Sequence, residues 1–233
     1  MYPFGWGGLQ ALSFTSKENI SMYDTLMRLP FLTWVSVSAA GQLSGLIQYV
    51  NTTPIGSGYA VHLAMRLSTM SFLLLLAATV IFRTRPTAKA IGLEPRLSAL
   101  AGTFLMYGVA LFPRRDLSVS GEVIAILLTL IGSAGWVVAL SQLGRSFSIM
   151  AESRTLVTSG PYSFVRHPLY LAEEIAMIGL FLQFASIWTA LLFAAQIAFQ
   201  IRRMHNEEVV LSSTHAEYET YRRNTARLLP GIY

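Results

Sequence analysis

Residues 144–170, GRSFSIMAESRTLVTSGPYSFVRHPLY, are the stretch on which the organisation of this chain depends. The stretch is polar and basic, and it lies between apolar segments at residues 121–143 and 171–201. Its charged side chains need water or protein partners, so it cannot form a lipid-facing helix. Pro161 and Pro168 lack a backbone N–H and disfavour helical angles at the residues before them. The stretch is therefore predicted to be an ordered polar loop against a membrane, where a functional site is expected.

The composition indicates an integral membrane protein. The 233 residues are 53% hydrophobic and 12% charged, with a mean hydropathy of +0.51, whereas soluble domains carry about 25% charged residues. The sequence has no cysteine, which excludes disulfides, thiolate metal sites and a cysteine nucleophile. Its four histidines are too scattered to predict a metal cluster. The net charge of +5 is typical of a membrane protein with a basic cytoplasmic face, so no nucleic-acid partner is expected.

Hydropathy predicts an all-α, polytopic membrane helix bundle with about four spanning helices in residues 31–143. The candidate spans are residues 31–50, 59–82, 97–112 and 121–143, against the roughly 20 residues that a bilayer requires. Residues 1–30 carry several aromatic side chains and are interpreted as an interfacial segment. They lack a basic start followed by an apolar core, so no cleavable signal peptide is expected.

Residues 144–233 are predicted to form one further region, made of the polar loop, a helical hairpin and a tail. Residues 169–204 are too many for one ordinary crossing and too few for two full ones. A break at residues 184–187 (FASI) favours a hairpin over one long tilted helix. Residues 202–233 are polar and predict a cytosolic tail helix. The distribution of lysine and arginine places the loop and the tail together on the cytoplasmic face, where they can meet.

Charged and aromatic residues concentrate in three blocks of this region. The blocks are RTLVTSGPY at 154–162, RHPLY with the following Glu173 and Glu174 at 166–174, and RRMHNEE at 202–208. A closed hairpin would bring the second and third blocks together. Mixed charges of this kind are equally typical of an ion-pair belt that anchors helix ends, and their spacing alone names no reaction.

These blocks, taken in order, resemble a known family. The sequence contains LGRSFS, RTLVTSGPY, RHPLY, an apolar hairpin, RxxxEExxL, EYxxYRR and a closing PGI between about residues 140 and 233. This order is similar to that of the isoprenylcysteine carboxyl methyltransferases and of the wider group of phospholipid methyltransferase-like membrane enzymes. The first hundred residues match only as generic spanning helices. The resemblance implies a membrane methyltransferase that uses S-adenosylmethionine, has no Rossmann sheet and binds the cofactor in a pocket that faces the cytoplasm.

The resemblance also assigns residues to the site. The implied cofactor-binding positions are Arg154, Thr155, Leu156, Val157, Tyr162, His167, Pro168, Leu169, Tyr170 and Glu207. Arg154 stands where the family usually has histidine, and Ala172 stands where it usually has glycine. Arg203 matches the substrate-side arginine and is the predicted catalytic and substrate-binding residue. Glu174 is a second substrate candidate that could instead pair with an arginine, and neither it nor Glu173 belongs to the general pattern.

The implied chemistry suits these residue types. Methyl transfer from a sulfonium needs positioning and a dry pocket more than an acid or base, when the acceptor is already an anion or a free amine. Arginine orients a carboxylate or phosphate through two hydrogen bonds, so carboxylate O-methylation of a lipidic or amphipathic small molecule is favoured. In a plainer interpretation, Arg203 and Glu207 form an ordinary i, i+4 helix pair, and Tyr162 and Tyr170 belong to an interfacial aromatic belt.

Two other functions remain open. Membrane sterol reductases that use NADPH share a similar carboxyl-terminal half and a closing PGIY, which is present here at residues 230–233. The GPY and RHP blocks and the paired Glu207 and Glu208 favour the methyltransferase. The third hypothesis is a non-catalytic membrane protein or small transporter, although transporters often contain internal repeats and this sequence shows none.

Overall fold

The computed structural model describes residues 17–56 and 58–231, and α-helices form nearly all of the regular structure in that part of the chain. The helices are α1 (Lys17–Thr52), α2 (Tyr59–Phe82), α3 (Leu93–Phe104), α4 (Val119–Leu143), α5 (Pro168–Gln183), α6 (Ile187–Thr214) and α7 (Tyr218–Asn224). Short 3-10 turns lie at Leu105–Leu111, Gly144–Ser146 and Gly160–Ser163. One two-residue antiparallel ladder joins β1 (Ala88–Lys89) to β2 (Glu152–Ser153). The predicted all-α class is confirmed.

Two of the described helices are long and apolar enough to cross a bilayer, at Tyr59–Phe82 and Val119–Ser146. They coincide with the second and fourth predicted spans. The third predicted span is formed by α3, which has 12 residues, and by the seven-residue 3-10 helix that directly follows it. The two parts rise about 18 Å and about 14 Å, which together is close to a hydrocarbon core of about 30 Å.

The first helix differs from its predicted bounds. Helix α1 begins at Lys17 rather than at residue 31, and it continues through Pro30. Proline inside a helix removes one backbone hydrogen bond but does not prevent the helix from continuing on both sides. Residues 1–16, which make up much of the predicted interfacial segment, lie outside the described residues.

The predicted hairpin is present as α5 and α6, which are separate helices. The break is stabilised by a capping box at the start of α6: the Thr189 backbone N–H donates to Ser186 Oγ at 3.2 Å, and the Ser186 N–H donates to Thr189 Oγ1 at 2.9 Å. The two arms pack on different partners, since α5 lies chiefly against α4 and α6 lies chiefly against α3. The space between the arms is thereby left for the cavities described below.

Helices α4 and α5 approach so closely that their backbones touch. A Cβ atom on Gly132 would lie 2.5 Å from the backbone nitrogen of Ala176 and 2.6 Å from the carbonyl oxygen of Ala172. Small residues permit such an approach between membrane helices. Ala172, which replaces the family's usual glycine, points its methyl group at Gly135 of α4, where a Cβ would lie 2.9 Å away. This contact fixes the position of α5 and of the residues at its amino end.

The polar connections gather at one end of the bundle. The ends of α2 and α4 lie side by side there, because the Thr84 N–H donates to the Arg145 carbonyl at 3.0 Å and Arg145 Nε donates to the Phe82 carbonyl at 2.7 Å. At the opposite end, the Arg115 N–H donates to the Gln183 carbonyl at 2.8 Å and ties the loop before α4 to the end of α5. The amino end of α5 therefore lies beside the polar loop.

The close approach of α4 and α5 can be tested with one added methyl group. We expect Gly132→Ala to lower the free energy of unfolding by about 2 kcal/mol, because the new Cβ overlaps backbone atoms that cannot move aside independently. Thermal unfolding of the detergent-solubilised protein, followed by circular dichroism, measures the change. Gly41→Ala is the matched control, since Gly41 also lies within a helix but has no atom within 4 Å of the added Cβ. Equal melting temperatures for the two variants would contradict the described packing.

Candidate functional site

The buried carboxylate of Glu208 on α6 joins the polar loop to the carboxyl-terminal tail. Glu208 is only 3% exposed. Its Oε1 accepts hydrogen bonds from Arg166 Nε at 2.9 Å, from Arg227 Nε at 3.0 Å and from His167 Nε2 at 3.2 Å. Arg166 and His167 belong to the polar loop, whereas Arg227 belongs to the tail. One side chain of α6 thus binds two segments that are distant from each other in sequence.

Backbone contacts reinforce this junction. The Arg166 N–H donates to the Ala226 carbonyl at 2.8 Å, and the His167 N–H donates to the Arg227 carbonyl at 3.1 Å. The guanidinium of Arg166 also donates from Nη1 to the carbonyls of Arg222, at 2.9 Å, and Thr225. The loop and the tail therefore meet at the same end of the bundle, as the sequence predicted.

The electrostatics of the junction keep Glu208 ionised. Burial alone would raise its pKa, but the hydrogen bonds and charges of His167 and Arg227 outweigh burial and hold the pKa of Glu208 well below its usual range. Burial is the dominant influence on the nearby phenols: it raises the pKa of Tyr162 and Tyr218 well above 10 and that of Tyr221 to about 12. These tyrosines are hydrogen-bond donors at neutral pH.

A cavity of about 740 Å³, counted to its open mouth, lies beside this junction, and we call it the polar cavity. Nine of the ten predicted cofactor positions line it: Arg154, Thr155, Leu156, Val157, Tyr162, His167, Leu169, Tyr170 and Glu207. The tenth, Pro168, is the buried first residue of α5. The lining also includes residues that were not assigned from the sequence, namely Leu143, Ser146, Ser148, Met150, Arg166, Leu211, Tyr218 and Tyr221. Several of these belong to the LGRSFS and EYxxYRR blocks, which was the signal available for finding them.

Glu152 also lines the polar cavity. Its Oε2 accepts from Arg154 Nη2 at 2.7 Å and from Ser148 Oγ at 2.7 Å. Since both side chains of this ion pair are almost completely buried, the positive charge of Arg154 is balanced within the wall. The nearby His215 Nε2 lies 2.9 Å from the Arg154 carbonyl and holds this segment against the end of α6.

A stack of three side chains separates the polar cavity from the interior of the bundle. The ring of His167 stacks on that of Tyr170, with centroids 5.4 Å apart and an interplanar angle of 13°. Arg203 covers the Tyr170 ring, with its Cζ 4.6 Å from the ring centroid. Such a cation–π contact contributes about 0.5–2 kcal/mol. Glu207 completes the wall, because Tyr170 donates to its Oε1 and Arg203 Nε lies 3.3 Å from the same atom.

A second cavity, of about 560 Å³, lies on the other side of this wall, and we call it the apolar cavity. Its lining is mostly aromatic and aliphatic: Phe31, Trp34, Phe72, Leu76, Thr103, Tyr107, Trp136, Phe147, Ile149, Leu169, Tyr170, Glu173, Met177 and Arg203. Leu169 and Tyr170 line both cavities. The predicted catalytic residue, Arg203, therefore lines the apolar cavity and reaches the polar cavity only through Tyr170 and Glu207.

The adjacent carboxylates on α5 point in different directions. Glu174, the predicted substrate residue, accepts a hydrogen bond from Gln196 Nε2 of α6 at 2.9 Å and lines neither the polar nor the apolar cavity. Glu173 lines the apolar cavity. The sequence assigned Glu174, and not Glu173, to the substrate, and this assignment stays a prediction.

Comparison with known proteins agrees with the sequence motifs. Residues 124–213 match the family described as the isoprenylcysteine carboxyl methyltransferase (ICMT) family. The matched region runs from α4 almost to the end of α6, and it includes the stacked wall and Glu208. The match covers less than half of the chain, and over these residues the sequence is similar to that family. The resemblance predicted from the sequence is confirmed.

Three similar proteins show how much of the chain is shared. A nickel-cobalt-cadmium resistance protein of Alcaligenes xylosoxydans xylosoxydans is 33% identical over 46% of this chain and 52% of its own length. A cobalt-zinc-cadmium resistance protein of Cupriavidus metallidurans is 31% identical over 48% of this chain and 53% of its own length. A protein-S-isoprenylcysteine O-methyltransferase of Schizosaccharomyces pombe is 36% identical over 40% of this chain and 43% of its own length. The chain thus matches only about half the length of these curated relatives.

Two of these relatives are named for metal resistance. The side chains that could bind a metal ion are therefore considered next. Within residues 17–56 and 58–231, no group of three or more histidine, aspartate or glutamate side chains is arranged to hold a metal ion. The carboxylates of the site are instead engaged by arginine, histidine, tyrosine and serine, as described above.

The junction at Glu208 predicts a specific dependence of stability on pH. Because its folded pKa is lowered, Glu208 contributes stability above its unfolded pKa of about 4.3, and this contribution is lost as the pH falls through the lower folded value. We expect Glu208→Gln to cost about 3 kcal/mol at neutral pH, since it leaves buried arginines without their carboxylate. Acidification from about pH 6 to about pH 3 should then destabilise the variant less than the wild type.

Thermal unfolding across this pH range measures both effects. Glu219→Gln is the control, because Glu219 pairs with Arg222 and Arg223 on the surface and should have little influence at any pH. An unchanged melting temperature for Glu208→Gln at neutral pH would contradict the role given to this junction.

Proposed function

We propose that this chain is an integral membrane methyltransferase that uses S-adenosylmethionine and methylates a lipidic or amphipathic small molecule. The single observation that carries the proposal is the arrangement of two adjacent cavities, one polar and one apolar. Leu169 and Tyr170 line both of them. A methyl donor with charged and sugar groups suits the first cavity. An apolar acceptor suits the second.

The polar cavity has the donor set that the cofactor needs. Glu207 offers a carboxylate to an amine or to ribose hydroxyls, and the faces of Tyr162 and Tyr170 suit a sulfonium cation. The hydroxyl of Tyr162 is buried without a hydrogen-bond partner among the described residues, which leaves it available to a ligand. When bound, S-adenosylmethionine would supply a methyl group already activated on a positively charged sulfur. Backbone groups of residues 154–157, which line the same cavity, would complete its binding.

The residues of the wall position the groups and exclude water. Tyr170 is held by its hydrogen bond to Glu207 and by stacking between His167 and Arg203, so its ring has little freedom. Leu169 and the buried end of α5 shield the contact between the cavities from solvent. Fixed geometry in a dry site is the main requirement for in-line methyl transfer.

The acceptor is proposed to enter the apolar cavity from the bilayer. Its aromatic walls come from Trp34 of α1, from Phe72 of α2 and from Trp136 of α4. The rings of Phe72 and Trp136 are in contact, with centroids 4.8 Å apart. An apolar chain held among these helices would direct its polar head towards Tyr170 and Arg203. The sequence analysis favoured methylation of a carboxylate, because Arg203 could orient one. This preference is still a prediction, since the charged groups next to Arg203 also influence which head group binds.

The cofactor site is proposed to face the cytoplasm. The polar cavity lies at the end of the bundle where Arg145, Arg154 and Arg166 lie, with the basic tail. The loop at the opposite end, before α4, contains Arg114 and Arg115 beside Asp116. The excess of positive charge at the cavity end favours a cytoplasmic location.

Binding of the cofactor can be measured directly by calorimetry on the purified protein in detergent. We expect S-adenosylmethionine to bind and NADPH not to bind. Glu207→Gln and His167→Ala should each weaken the affinity by at least about tenfold, or about 1.4 kcal/mol, because they remove a carboxylate and a stacking partner from the polar cavity. Glu122→Gln, at an exposed ion pair with Arg114 near the start of α4, is the control. Wild-type affinity in both site variants would remove the assignment, and binding of NADPH alone would favour a reductase.

The acceptor can be identified without assuming its chemistry. Incubation of the protein with S-adenosylmethionine carrying a labelled methyl group and with total membrane lipid should label an apolar product, because the apolar cavity is lined mainly by aromatic and aliphatic side chains. Mass spectrometry of the labelled product then identifies the methylated atom. Labelling of water-soluble metabolites, with none in the lipid fraction, would contradict the proposed acceptor class.

A further inference from the structure

Glu173 is an unexpected group in the apolar cavity. It lies on α5 one turn after Tyr170, among walls that are otherwise mostly aromatic and aliphatic. Its Oε2 accepts a hydrogen bond from Gln200 Nε2 at 2.8 Å, whereas its Oε1 makes no hydrogen bond with the described residues. A carboxylate is costly at membrane depth, so one that lines a cavity is a candidate functional group.

Arg203 presents the complementary group to the same cavity. Its Nη1 donates to Thr103 Oγ1 at 2.8 Å, and its Nε lies 3.3 Å from Glu207 Oε1. Its second terminal nitrogen, Nη2, hydrogen-bonds to none of the described residues. Among the described residues, Glu173 therefore offers the cavity an acceptor and Arg203 offers it a charged donor.

This pair discriminates between possible head groups. A carboxylate only accepts hydrogen bonds, so it would leave Glu173 Oε1 without a donor and place two like charges together. An ammonium group only donates hydrogen bonds, so it would leave Arg203 Nη2 without an acceptor. A hydroxyl or thiol both donates and accepts, so it can satisfy Glu173 and Arg203 together.

We propose that the methyl acceptor in the apolar cavity carries a hydroxyl or thiol head group, which Glu173 binds and from which it takes the proton. This inference rests on the proposed function and defines its substrate class. The oxygen or sulfur of the acceptor gives its proton to Glu173 Oε1 and forms a bond to the methyl carbon. The bond between that carbon and the sulfur of the donor breaks, and both of its electrons stay on the donor sulfur. The proton on Glu173 is afterwards released to solvent.

Head-group preference can be measured in the absence of cofactor, which separates this inference from the proposed function. The probes are 1-dodecanol, 1-dodecanethiol and dodecanoate, which share a chain length and differ in the head group. Binding is followed by the fluorescence of tryptophan, because Trp34 and Trp136 line the cavity. The measurement uses purified protein at about pH 8, where dodecanoate is ionised. Each probe partitions into the detergent to the same extent whichever protein variant is present. The ratio of the affinities for a neutral probe and for dodecanoate is therefore compared between variants in one detergent.

We expect the wild type to favour dodecanol and dodecanethiol over dodecanoate, and Glu173→Gln to reduce this preference by about tenfold. Glutamine has the shape of glutamate but no charge, so it tests whether the ionised form is the one that matters. Glu173→Met, an apolar residue of similar size, should have the same effect and serves if the glutamine variant does not fold. Glu174→Gln is the matched control on the adjacent residue, which lines neither cavity, and it should keep the wild-type preference.

Two outcomes would overturn the inference. One is an unchanged head-group preference in the Glu173 variants, which would mean that the ionised carboxylate does not select the head group. The other is a wild type that binds dodecanoate more tightly than both neutral probes. Failure of S-adenosylmethionine to bind at all would instead refute the proposed function and leave the head-group preference as a separate fact.

Discussion

The structure depends on the burial of one ionised carboxylate, that of Glu208. A buried charge is tolerated only when partners surround it, and here those partners are Arg166, His167 and Arg227. Because they come from the loop before α5 and from the tail after α7, satisfying one carboxylate brings together segments about sixty residues apart. The polar cavity exists because this junction closes one of its sides.

A second constraint is the direct contact of α4 and α5, which sets where the wall between the cavities stands. Gly132 and Ala176 allow the two backbones to touch, while α6 packs on α3 instead of lying along α5. The hairpin is therefore open on its inner side. Tyr170, at the start of α5, crosses that opening and hydrogen-bonds to Glu207 of α6. Packing of small residues at one interface thus leaves room for two cavities at another.

Both pairs of adjacent glutamates divide their roles in the same way. Successive residues on an α-helix point about 100° apart, so neighbours in sequence face different surroundings. Glu208 stabilises the junction, whereas Glu207 faces the polar cavity. Glu174 hydrogen-bonds to Gln196, whereas Glu173 faces the apolar cavity. In each pair one carboxylate faces a cavity and the other is held at a contact within the protein.

The sequence alone determined the helical class, the bounds of α2, the break between α5 and α6, and, through the family resemblance, half of the lining of the polar cavity. These features depend on local properties: apolar runs of sufficient length, breaks in hydropathy, and short motifs whose order is retained. Tertiary structure decided that α1 begins at Lys17, that the third apolar segment tightens into a 3-10 turn, and that Glu173 rather than Glu174 faces a cavity. The physical reason is that the surroundings of a helix face are set by the helices packed against it, and hydropathy along the chain does not record which helices those are.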